Sequence, residues 1–94
     1  MSSHVWTARN IAGAATTVVK SGEGVFGGII INAAIASSVI TIYDNTAASG
    51  TKIATITNPV ALLDSQRALM YSCRFATGLT IVTSAADDIT VLYV

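Results

Sequence analysis

Residues Val25 to Ile42 read VFGGIIINAAIASSVITI, an 18-residue run without a formal charge. That length just reaches the minimum for a helix crossing a bilayer, so the run is a membrane span, a buried helix or two strands. Its composition argues for strands. Ile29, Ile30, Ile31, Val39, Ile40, Thr41 and Ile42 are β-branched, and their restricted χ1 favours an extended chain. Asn32, Ser37 and Ser38 place polar groups in the middle. No Lys or Arg cluster anchors either flank, and Gly27 and Gly28 weaken any helix at its start. We expect a strand over Val25 to Asn32, a weak connection over Ala33 to Ser37, and a second strand over Ser38 to Tyr43.

The same rhythm runs on both sides. Ala15 to Lys20, Thr51 to Thr57, Ala68 to Ala76, Leu79 to Thr83 and Ile89 to Val94 are further strand candidates, and His4 to Ala8 adds a short one. Between them lie Ser21-Gly22-Glu23-Gly24, Asp44 to Gly50, Asn58-Pro59, Thr77-Gly78 and Ser84 to Asp88, all rich in turn-forming residues. Val60 to Arg67 has room for one helical turn. Seven or eight short, evenly spaced strands predict an all-β, antiparallel sandwich or barrel. The whole chain, 1–94, reads as one small domain with 1–13 as an N-terminal arm.

Size and composition then conflict. Of 94 residues, 52% are apolar and only 11% charged, with a mean hydropathy of +0.65. A domain this small has much surface for its volume, so part of the apolar excess must lie against lipid or another protein chain. Several strands are apolar on both faces, which points the same way. We expect Val18, Ile29, Ile31, Ile40, Ile42, Ile53, Leu79, Ile81, Val91 and Tyr93 to be buried, and Trp6, Phe26, Ile30, Leu92 and Val94 to form an interface.

Chemistry is sparse. The basic residues Arg9, Lys20, Lys52, Arg67 and Arg74 balance five acidic ones and are scattered, a poor footprint for nucleic acid. Cys73 is the only cysteine and His4 the only histidine, which excludes an intrachain disulfide and leaves zinc without enough ligands. The first residues lack the pattern of a signal peptide. Asp87-Asp88 and Asp44-Asn45 lack the alternation of a calcium loop and suit turn capping instead. No cofactor, metal site or catalytic constellation is expected, and no membrane partner.

The pattern VVKSGEGVFGGIIINAAIASSVITIYDNTAASGTKIATI, continuing to FATGLTIVTSAADDITVLYV, resembles small β-sandwich virion proteins of tailed bacteriophages, capsid decoration (cement) proteins above all. Ile42-Tyr43-Asp44-Asn45 with Gly50-Thr51, and Gly78 to Val82, carry the likeness over Thr17 to Val94. The resemblance implies a jelly-roll-like sandwich, made in the host cytoplasm and held in the virion. There it would be a homo-oligomer that binds the major capsid protein and locks the shell; a trimer matches the local threefold sites of capsid lattices. The alternatives are a neck, tail or head-fibre component, or a carbohydrate- or receptor-binding module using Tyr43-Asp44-Asn45.

Overall fold

The structure is a computed structural model describing residues 5–58 and 68–94. The helical turn expected over Val60 to Arg67, and His4, lie outside the described residues. The described residues form eight strands and no helix: β1 Thr7–Ala12, β2 Ala15–Ser21, β3 Gly24–Ala33, β4 Val39–Asp44, β5 Thr51–Thr57, β6 Ala68–Phe75, β7 Gly78–Thr83 and β8 Asp88–Tyr93. The uncharged run is therefore β3 and β4, separated by a turn in which Ser37 takes φ 62°. No helix among the described residues is long and apolar enough to cross a membrane.

The strands make two four-stranded sheets, ordered β1-β8-β3-β6 (sheet I) and β2-β7-β4-β5 (sheet II). β1 pairs with β8, β2 with β7, β3 with β6 and β4 with β5, all antiparallel. The chain is thus one long nested hairpin with its tip at the β4–β5 loop. Rolling that hairpin adds the β3–β8 and β4–β7 pairings, which give the sheets their final order. This is the jelly-roll solution, in which two stacked sheets share one core. Residues 7–12, placed within an arm by the sequence reading, are instead the edge strand of sheet I. They pair in unbroken register with β8 from Thr7↔Tyr93 to Ala12↔Asp88.

The sheets enclose Phe26, Phe75, Ile29, Ile31, Ile40, Ile42, Leu79, Ile81, Ile89 and Val91, each no more than 1% exposed. All the aliphatic positions expected inside on β3, β4, β7 and β8 are there. Tyr93 and Ile53 are half-buried and pack against this core. Val18 is a correction: it is 44% exposed, and Val19 is buried in its place. A β-bulge shifts the β2–β7 register between Val18 and Lys20, and in a two-residue repeat one extra residue exchanges the faces.

The edges follow a consistent pattern. Arg9, Lys20, Lys52 and Arg74 are all the basic residues among those described, and each lies on a different edge strand: β1, β2, β5 and β6. The inner strands β3, β4, β7 and β8 carry none. Three edges also have register shifts, at Val19 in β2, Ile53 in β5 and Tyr71-Ser72 in β6. The unbulged edge, β1, has Arg9 opposite the buried Val91, hence on the core-facing side yet exposed. Bulges and inward-pointing charges both discourage pairing with another chain's strand. Arg9→Val should therefore leave the fold intact but raise edge-mediated aggregation, seen as faster turbidity growth on mild heating; unchanged turbidity would show that β1 is not guarded by Arg9.

Candidate functional site

Register decides which residues share a face. On sheet I the core-facing rows contain Ile29 with Val91 and Ile31 with Ile89, so the rows between them point outward. From one end to the other these outward rows carry Val25 with Arg74 beside Val94, then Ala8, Leu92, Gly28 and Met70. Asn10, Thr90, Ile30 and Ala68 follow, and last Ala12, Asp88 and Ala33. Trp6 precedes the core-facing Thr7 and lies over the same outer surface, where a Cβ on Gly27 would meet its indole at 2.8 Å. Gly27 is the extra residue of a bulge between β3 and β8, and its missing side chain leaves the shelf that the indole covers.

Of the five expected interface residues, Trp6, Ile30, Leu92 and Val94 are brought together on this outer face. Phe26 is not among them. It is fully buried in the core, stacked on Tyr71 with ring centroids 5.3 Å apart, and has no surface to offer a partner. The bulge explains this, because it carries Phe26 to the core side while Gly28 faces out.

The polar groups of the face sit at its two ends. Asn10 donates through Nδ2 to Asp88 Oδ1 at 2.6 Å and to the Ile89 carbonyl at 2.9 Å. Asn32 donates to Asp88 Oδ1 at 3.2 Å and to Thr90 Oγ1 at 3.0 Å. At the other end a cleft of about 370 Å³ is lined by Lys20, Glu23, Gly24, Val25, Arg74 and Val94. Between the ends lie Trp6, Ile30, Met70 and Leu92, with Met70 57% exposed. The outer face of sheet II is more mixed: Thr16, Val82, Thr41 and Thr55 form one row, Val39 with Thr57 another, and the exposed Val18, the buried Thr80, Tyr43 and Lys52 a third, so hydroxyls and a lysine interrupt its apolar groups.

The acidic loops turn out to be internal fasteners. Asp44 accepts from the backbone N–H groups of Ala76 and Thr77 at 2.8–3.0 Å, with a longer contact from Gly78 at 3.4 Å, and so holds the β6–β7 turn. Asn45 bonds Ser49 and Thr46 within its own loop. Asp44 and Asn45 of the Tyr43-Asp44-Asn45 stretch are thus engaged in shaping turns. Asp87, expected as a turn cap, is completely buried. Its carboxyl group accepts from Ile35 N at 2.7 Å, from Ser38 Oγ at 2.7 Å and from Asn58 Nδ2 at 3.2 Å. Asn58 Nδ2 also donates to Ser38 Oγ, while Asn58 Oδ1 is buried with no hydrogen-bond partner among the described residues. Nothing in the sequence marks Asp87 for this role except its place in a run of small residues, where a buried carboxyl has room.

The hydrogen bonds from Ala76, then Thr77, hold the Asp44 carboxyl below its ordinary value of 3.8. A depressed folded-state pKa means that the stabilisation is present above the unfolded value and is lost as pH falls through the folded one. Stability from this turn should therefore persist at neutral pH and drop below about pH 4. The Asp44→Asn variant should have a lower urea midpoint at pH 7 and a flatter midpoint profile between about pH 2 and 5. Identical profiles for both proteins would refute the assignment.

Cys73 lies in register with Phe26 on the core-facing side, half-buried, and burial pushes its thiol up from 9.0, with nearby Asp44 adding to the shift. A thiol held protonated is a poor nucleophile. Among the described residues no group of three His, Cys, Asp or Glu side chains is placed to hold a metal ion. No protein-family model, curated protein or solved structure matches the chain.

Proposed function

We propose that this protein is a non-enzymatic structural protein of a virion, a small jelly roll that binds the assembled capsid surface as a homo-oligomer and stabilises it. The observation that supports this reading best is the outer face of sheet I, with an uncharged apolar centre between two polar ends. That is the anatomy of a docking surface, apolar in the middle and polar at the rim. The blocked edges favour docking by faces over docking by strand addition. The resemblance to decoration proteins supplies the shell as the larger partner.

The mechanism is linkage. A protein that binds the assembled shell and not its separated subunits stabilises the assembly by RT ln(1 + [L]/Kd) at each site. Many sites on one particle then raise its resistance to rupture. The experiment is cosedimentation with undecorated phage capsids, followed by heating. Saturable binding and a higher rupture temperature are expected. Absence of binding to shells that have vacant decoration sites, or binding without a change in rupture temperature, would overturn the reading.

A further inference from the structure

We infer that the outer face of sheet I takes a second copy of this chain, packed face to face about a twofold axis that runs across the strands. This rests on the docking reading above and assigns that face to the contact between copies, which leaves the other surfaces of the dimer for the shell.

Three observations lead there. The first is area: the molecule is a slab of 34 × 34 × 18 Å, and the sheets form its broad sides. Such a side can supply the roughly 800 Å² per partner that a stable interface needs, whereas the 18 Å flanks are too narrow. The second is chemistry. Ile30, Met70, Leu92 and Trp6 make an apolar centre with an indole anchor, and tryptophan is prominent among residues that dominate interface energetics. Sheet II intersperses Val18, Val39, Val82 and Tyr43 with Thr16, Thr41, Thr55, Thr57 and Lys52, and the described residues place no tryptophan or methionine there.

The third observation is charge, and it selects the symmetry. Among the described residues, the outward-facing charges on the strands of sheet I are Arg74, opposite Val25, and Asp88, opposite Ala33. They stand at opposite ends, eight residues of β3 apart, or roughly 26 Å at about 3.3 Å per residue. A twofold axis along the strands would set like ends together. An axis across them sets the Asp88 end of one copy over the Arg74 end of the other, twice. A twofold contact also needs a single self-complementary patch, while a threefold ring needs two different patches that fit each other. Sheet I supplies one patch, so the contact is dimeric, in place of the trimer expected from shell geometry.

The test is sedimentation velocity of the whole protein over roughly 1–100 µM, a range that brackets a micromolar Kd. A monomer–dimer equilibrium that weakens with added salt is expected. Met70→Glu changes an exposed side chain, so the monomer should keep its circular dichroism while the dimer Kd rises about tenfold or more. Thr55→Glu, on the outer face of sheet II, should leave the Kd unchanged. Arg74→Glu should weaken the dimer, and adding Asp88→Arg should restore part of the loss. A wild type that stays monomeric, a trimer, or equal damage from Thr55→Glu would overturn the inference. Cosedimentation of the wild type with capsids separates the two readings. A dimer that ignores capsids removes the proposed function alone, and capsid binding by a wild type that assembles as a trimer removes this inference alone.

Discussion

Replacing Asp87 by alanine is expected to lower the melting temperature by well over 10 °C and to cost about 3 kcal/mol or more. The carboxyl group is buried and receives the Ile35 N–H, the Ser38 hydroxyl and the Asn58 amide, so one substitution strands three donors, two of them on the buried Ser38 and Asn58. Its own backbone holds a fourth contact, since the Gly13 N–H donates to the Asp87 carbonyl at 3.1 Å. The knot therefore ties the β7–β8 loop to the β3–β4 connection, the end of β5 and the β1–β2 turn. A domain of this size has about 5–15 kcal/mol of stability in total, so the loss takes a large share of it. Chemical denaturation followed by Trp6 fluorescence or circular dichroism would measure it. A loss under about 1 kcal/mol would mean that the three donors find other acceptors.

Phe26→Ala is expected to cost about 3–5 kcal/mol, because it removes a fully buried ring and leaves a cavity between the sheets. Its stacking partner Tyr71 lies on the edge strand β6, so loosening of that edge should accompany the loss. The effect distinguishes a core residue from an interface residue. A core Phe26 lowers the unfolding midpoint of the monomer at every protein concentration. An interface Phe26 would instead shift the association equilibrium and leave monomer unfolding alone, and that result would reverse the structural assignment.

The strands were legible because β-branched runs and turn residues act locally. Ile40-Thr41-Ile42 and Leu79-Thr80-Ile81 prefer an extended chain wherever they sit, and Gly22, Asn45 and Gly50 bend it regardless of what lies across the sheet. Faces were less legible, since they depend on counting by twos without error. The extra residue at Val19 exposed Val18, and the bulge at Gly27 turned Phe26 inward while leaving Ile30 and Leu92 outside. The candidate face was half visible: four of its apolar members could be named, but not that one sheet would collect them.

The basic residues make the same point from another direction. In the sequence Arg9, Lys20, Lys52 and Arg74 are scattered, which argues against a basic patch and suggests nothing more. Their common property, that each guards a different sheet edge, exists only once the strand order is known. Asp87 is similar, since its side-chain partners Ser38 and Asn58 are 49 and 29 residues away.

What this polypeptide determined by itself is therefore its alphabet of short strands and turns and its surplus of apolar surface, because these are set by each residue and its immediate neighbours. The tertiary structure alone decided which edges are guarded, which carboxyl is sealed inside and which sheet carries the surplus outward. Those follow from long-range pairing and bulged register, where one inserted residue exchanges inside and outside for the rest of a strand.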